Sequence, residues 1–240
     1  MSISASIQQV AIVSALLAAN ITPAYGESQP PPCSEDAMIV FDASGSMSGN
    51  VGLGMATDRT RIDEVRSAFR QVLPSVTRFR RVGLITYGPG PYQQCNVQLN
   101  LEPAPNAAKH IMREVDALTP AGKTPLTEAV RRAAEILEFR SKPGVIVVLT
   151  DGEETCGGQP CRLGEQLSGE ANQLTVHVIG YRPPGFSWTG EQSVVAAKCL
   201  AEKTGGLYSP AETKEELIEA LAKTLGCPMV TQGPSPSVAR

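Results

Sequence analysis

Five oxygen-bearing side chains in three separated segments have the chemistry to hold a hard cation: Asp42, Ser44 and Ser46 in FDASGSM, Thr124 in AGKTPL, and Asp151 in VIVVLTDG. Carboxylates and hydroxyls are the donors that Mg2+, Mn2+ and Ca2+ accept, and magnesium tolerates neutral oxygens and waters in its octahedron. With only two carboxylates, such a site leaves a divalent ion with residual positive charge, which an acidic group from outside would complete. Without the ion, Asp42 and Asp151 would face each other as like charges, raising one pKa and coupling cation uptake to proton release.

Elements that could bring these residues together are legible around them. Each aspartate closes an apolar run, MIVFD and VIVVLTD, and so stands at the carboxyl end of a strand, where open α/β sheets place their ligand crevice. The alternation of Asp42, Ser44 and Ser46 puts all three on one side if the strand geometry continues through them. Strands are expected over 37–42, 81–88, 96–101, 144–150, 174–181 and 206–210, with helices over 61–76, 106–118, 125–139, 161–170, from Thr189 to near Gly205, and over 213–225. Thr189 with Gln192 and Thr213 with Glu216 read as capping boxes, and Pro125 as a first helical residue. The 144–150 run has almost no polar residue, as a strand buried on both faces would. The fold class expected is therefore α/β: a doubly wound, mostly parallel six-stranded sheet flanked by helices. The turn-linked second and third strands supply one antiparallel edge.

The chain has 240 residues, 42% hydrophobic and 19% charged, enough for one sizeable core. A net charge of −3 gives no basic field for nucleic acid or an anionic membrane. The basic run Arg78-Phe79-Arg80-Arg81 is expected to be a solvated edge. Residues 1–26 read as a signal peptide, with an apolar stretch at 10–19 and Ala24-Tyr25-Gly26 as cleavage site; no Lys or Arg precedes the stretch, which leaves a retained anchor or a misplaced start as the alternatives. Residues 27–36 form a linker, 37–227 the folded domain, and 228–240 a tail without apolar periodicity, expected to be disordered.

Six cysteines, none in a C-x-x-C pair, speak for disulfides in an oxidising compartment and against zinc. Cys156 and Cys161 flank a Gly-Gly-Gln-Pro turn and are expected to staple the loop after Asp151. Cys33 and Cys227 bracket the domain and form the next expected pair.

Asp42-x-Ser44-x-Ser46, then Thr124, then Asp151 in a Thr-Asp-Gly turn resembles the metal-ion-dependent adhesion site of von Willebrand factor type A domains, over roughly residues 37–226. The resemblance implies that Ser44, Ser46 and Thr124 ligate a divalent cation, most simply Mg2+, while Asp42 and Asp151 act largely through water. The ion's open position would then take a carboxylate from a protein or matrix partner, and no catalysis is implied. The segment from Asp151 to Cys156 and the Cys156-to-Cys161 spacing resemble exported bacterial members.

Enzyme readings fare worse. Gly122-Lys123-Thr124 ends like a P-loop, but Ala117 stands where its first glycine belongs and a helix precedes it, which argues against nucleotide binding. Gly185-Phe186-Ser187-Trp188-Thr189 misses the nucleophile elbow at its last position. Ser44 beside Asp42 has no histidine or lysine base in the site-forming turns, which leaves a metal-dependent hydrolase as the one enzyme alternative. A scaffold with a vestigial metal site is the other rival. His177 reads as a satisfied core histidine, His110 as isolated, and Glu153-Glu154 as an exposed acidic turn. Trp188 is equally a surface contact or a loop anchor.

Overall fold

A computed structural model describes residue 33 and residues 35–51, 59–182 and 191–227, the side chains of 191–194 excepted. The signal peptide, most of the linker, the tail, the elbow-like loop with Trp188 and the Thr189 cap lie outside the described residues.

Six strands form one sheet: β1 (Asp36–Asp42), β2 (Val82–Tyr87), β3 (Val97–Ala104), β4 (Pro143–Thr150), β5 (Gln173–Tyr181) and β6 (Tyr208–Ala211). Their order is β3-β2-β1-β4-β5-β6. All neighbours are parallel except β2 and β3, so the fold class is as expected, with one antiparallel edge strand. The helices are α1 (Arg61–Val76), α2 (Ala108–Asp116), α3 (Leu126–Ile136), α4 (Pro160–Glu170), α5 (Glu191–Lys203) and α6 (Lys214–Leu225). None among the described residues is long and apolar enough to cross a membrane.

The central strands separate two cores because successive side chains point to opposite faces. Ala37, Ile39 and Phe41 of β1 pack with α1, α2 and α6, whereas Met38 and Val40 pack with α3, α4 and α5. On the first face the Phe69 ring of α1 meets Phe41 edge-on at 5.4 Å. This helix begins with a capping box in which Thr60 and Asp63 satisfy each other's backbone N–H groups. At α6 the box is shifted: Thr213 Oγ1 accepts the Glu216 N–H, but the Glu216 carboxylate takes the N–H of Glu212.

Three disulfides join Cys33 to Cys227, Cys95 to Cys156, and Cys161 to Cys199. The expected Cys33–Cys227 bridge forms. The Cys156–Cys161 staple does not, because Cys161 lies in the first turn of α4 and faces α5, while Cys156 faces the segment that enters β3. Such bridges are characteristic of proteins that mature in an oxidising compartment.

The basic run also departs from expectation. Arg78 and Arg81 are exposed, Arg81 pairing with Asp36 at 3.2 Å, but Arg80 is buried beneath the sheet edge.

Candidate functional site

Asp42 ends β1 and Asp151 directly follows the last residue of the adjacent parallel strand β4, so their carboxylates emerge side by side at the carboxyl edge of the sheet. Both are buried. The Asp42 Oδ1 accepts the Ser44 N–H at 2.8 Å, and its Oδ2 accepts the Thr150 hydroxyl at 2.8 Å. The first contact turns the chain immediately after β1, and residues 45–48 then form a single 3₁₀ turn. That turn, rather than continued strand alternation, brings Ser46 back to the site. The hydroxyls of Ser44 and Ser46 lie 3.0 Å apart, and Ser46 donates to Asp151 Oδ1 at 2.6 Å.

Thr124 arrives on the segment between α2 and α3. This segment is held to the Ser44 turn by the Gly45 N–H, which donates to the Gly122 carbonyl at 3.0 Å. A glycine is required at position 88 for this approach: its φ is +76°, and a Cβ there would fall 2.6 Å from Ser44 Cα. The Thr124 N–H donates to Thr155 Oγ1 at 2.8 Å, while the Thr155 N–H returns to the Thr124 carbonyl. Thr124 Oγ1 and Ser46 Oγ each lie 3.6 Å from where a Cβ on Gly152 would stand. The five candidate residues are thus brought to one place, and Gly152 leaves room between them.

Four further side chains shape the site and were not singled out from sequence. Thr150 holds Asp42 as described. Tyr87, opposite Asp42 in the neighbouring strand, is fully buried, with its hydroxyl making no closed hydrogen bond. Thr155 fixes the Thr124 backbone. Arg61, the first residue of α1, donates from Nη1 to Asp151 Oδ2 at 3.0 Å and to the Ser46 carbonyl. Arginine at a helix N-terminus runs against the helix dipole, so no local pattern marks it. Glu154 is also more than an exposed turn residue: its carboxylate accepts the N–H groups of Thr127 and Cys156, each at 2.8 Å. It thereby caps α3, which begins at Leu126 with Pro125 as its N-cap, one residue later than expected. Glu153 is exposed, as read.

The electrostatics follow from burial. Desolvation raises the Asp42 carboxyl above the usual range, against the hydrogen bonds from Ser44 and Thr150. Asp151 is pushed up to about 7, first by desolvation and then by the Asp42 charge, with Ser46 and Arg61 opposing. Among the described residues, the two buried acids share one cationic side-chain partner, Arg61 on Asp151. No group of three or more His, Cys, Asp or Glu side chains suited to a metal occurs among the described residues, so the donor set here is hydroxyl-rich and hard. It fits Mg2+, Mn2+ or Ca2+ and does not fit zinc.

The P-loop-like Gly122-Lys123-Thr124 segment finds no support in this geometry. The Thr124 N–H is committed to Thr155 and is not available to a phosphate. His110 is exposed on α2, and His177 lies in β5 with its Nδ1 accepting the Leu207 N–H at 3.0 Å.

Residues 37–154 match the von Willebrand factor type A domain. The chain is 28% identical over 187 residues to YwmC of Bacillus subtilis (strain 168), an uncharacterized protein, covering 75% of this chain and 78% of that one. Among solved structures, a von Willebrand factor type A protein from Catenulispora acidiphila superposes with a TM-score of 0.58 at 17% identity, over 80% of this chain and 42% of that one. The pilus adhesin SpaC from Lactobacillus rhamnosus GG superposes with a TM-score of 0.60 at 16% identity, over 82% of this chain and 30% of that chain. At these identities the structural likeness shows the fold alone.

Proposed function

We propose that this chain is an exported, cation-dependent protein-binding module of the von Willebrand factor type A kind, delivered by residues 1–26 as a signal peptide. Asp42, Ser44, Ser46, Thr124 and Asp151 would hold the cation, Mg2+ first among Mg2+, Mn2+ and Ca2+. When bound, the ion supplies an electrophilic position for a carboxylate oxygen of a protein or matrix partner. The chain's own part is to present hydroxyls, to orient Asp42 through Thr150 and the Ser44 N–H, and to keep both carboxylates out of bulk water. No turnover is expected.

The observation that carries this reading is the convergence of two buried carboxylates with the Ser44, Ser46 and Thr124 side chains. A pilus adhesin among the structural neighbours is in keeping with a binding role. One observation favours a second reading, a scaffold whose metal site is vestigial: Arg61 already supplies Asp151 with a counter-charge. Thermal unfolding of the metal-free protein, titrated with each cation beside Asp151→Ala, separates the two. A saturable rise lost in the variant supports the module, whereas no rise with any cation, together with partner binding indifferent to chelation, supports the scaffold.

A further inference from the structure

A second site lies at the opposite end of the sheet. The amino ends of β4 and β5, the turn before β2 and the last turn of α6 enclose a cleft of about 660 Å³, lined by Arg80, Lys223, His177, Glu35 and Thr175 among others. Arg80 is 4% exposed. Its nearest carboxylate oxygen, on Glu35, is 3.6 Å from its Nη2, beyond hydrogen-bond reach, and its buried Nε has no hydrogen-bond partner. A guanidinium carries five donors in a fixed fork, and a buried cation whose donors go unmatched is costly. Its charge is only loosely offset by Glu35, and it borders an open volume that holds more than a single water.

The rest of the wall has the same character. Lys223 adds a second cation from the exposed side of α6. His177 accepts at Nδ1 from Leu207, so its neutral form keeps its proton on Nε2 as a donor. Burial first, and then the Arg80 charge, lower the His177 pKa, in keeping with a positive local potential. Glu35 is the one acidic group among the lining residues, and it leaves the wall with one net positive charge.

We infer that this cleft binds a small oxyanion, a phosphate or carboxylate group seated on the Arg80 guanidinium with Lys223 as the second cation. Planar guanidinium groups pair with such anions through two parallel hydrogen bonds. The site is independent of the cation site at the far edge of the sheet.

Calorimetric titration of the full chain with inorganic phosphate, and separately with acetate, tests this in metal-free buffer at constant ionic strength. Metal-free conditions keep the anions from being captured at the other site. Saturable binding is expected, weakened roughly tenfold in Lys223→Gln and tightened in Glu35→Gln, as the loss of one attractive or one repulsive charge dictates. Both positions are partly exposed, so these variants keep the fold even where Arg80→Met does not. Binding of phosphate alone assigns the site to phosphate groups, and binding of both assigns it to oxyanions generally. No saturable binding by either anion at up to about 50 mM, or an affinity that neither substitution changes, overturns the inference and leaves water as the acceptor of Arg80.

Discussion

The Arg61 guanidinium and the Asp151 carboxylate form a buried ion pair, Nη1 to Oδ2 at 3.0 Å, with both side chains almost wholly withdrawn from solvent. In the metal-free protein this pair steadies an acid that would otherwise stand beside Asp42 with no counter-charge. With the proposed cation bound, the same guanidinium would repel the ion and add to the positive charge offered to a partner. Arg61→Met is therefore expected to lower metal-free stability by about 3 kcal/mol, the usual cost of orphaning a buried charge. It should also tighten cation binding about tenfold while weakening capture of an acidic peptide. Denaturant unfolding and calorimetry read the three effects, and cation and peptide affinities moving in the same direction would contradict this account.

Asp42 has both oxygens engaged inside the fold, so its replacement should be felt beyond the metal. Asp42→Asn retains one acceptor and is expected to fold, yet to lose the cation-induced gain of about 2.7 kcal/mol that a native site shows at a hundredfold excess over its dissociation constant. Thermal melts with and without Mg2+ check this.

The raised Asp151 pKa sets a pH dependence whose sign is definite. Its folded value of about 7 lies above the reference value of 3.8, so between these limits the native state binds more protons than the unfolded state. The stability it confers is full below about pH 4 and declines as pH rises through 7. Urea unfolding of the metal-free protein should show this decline, and saturating cation should flatten it, because the ion replaces the proton.

Cys95–Cys156 ties the loop after Asp151 to the segment entering β3, whereas Cys161–Cys199 ties α4 to α5 away from the site. Replacing either pair with serine should cost about 2–4 kcal/mol. Only the first replacement should weaken cation binding, by freeing the loops that carry Thr124 and Asp151.

Tyr92 is 77% exposed on the loop between β2 and β3, and that loop is bound to the Thr124 segment through Lys123 N–H to the Gln94 carbonyl. An exposed aromatic on a loop joined to the Thr124 segment is suited to be a contact anchor for the proposed partner. Tyr92→Ala is expected to weaken partner binding at least severalfold while leaving melting temperature and cation affinity unchanged, measured by surface capture and calorimetry.

Much of this arrangement could be read from residue types. The 144–150 run marked a buried parallel strand because almost no polar residue interrupts it on either face. The 61–76 helix was legible to the residue from the spacing of Ile62, Val65, Phe69, Val72 and Leu73. Ser46 belonged to the site for a reason that alternation did not supply, since a 3₁₀ turn follows the strand. Arg61 and the partners of Cys95, Cys156, Cys161 and Cys199 were hidden because they depend on contacts between distant segments, which no local pattern encodes, whereas Cys33 and Cys227 were legible as a pair because they bracket the domain. Arg80 was misread because charge runs are usually solvated, and here one member is drawn under the sheet edge.

The Cys33–Cys227 bridge has a mechanical consequence. It joins residues 194 positions apart that flank the entire sheet and every described helix. A pull applied outside these two cysteines travels through the covalent link and bypasses the strands between them. The carboxyl edge of the sheet would keep its arrangement under such a pull until the bridge itself gave way.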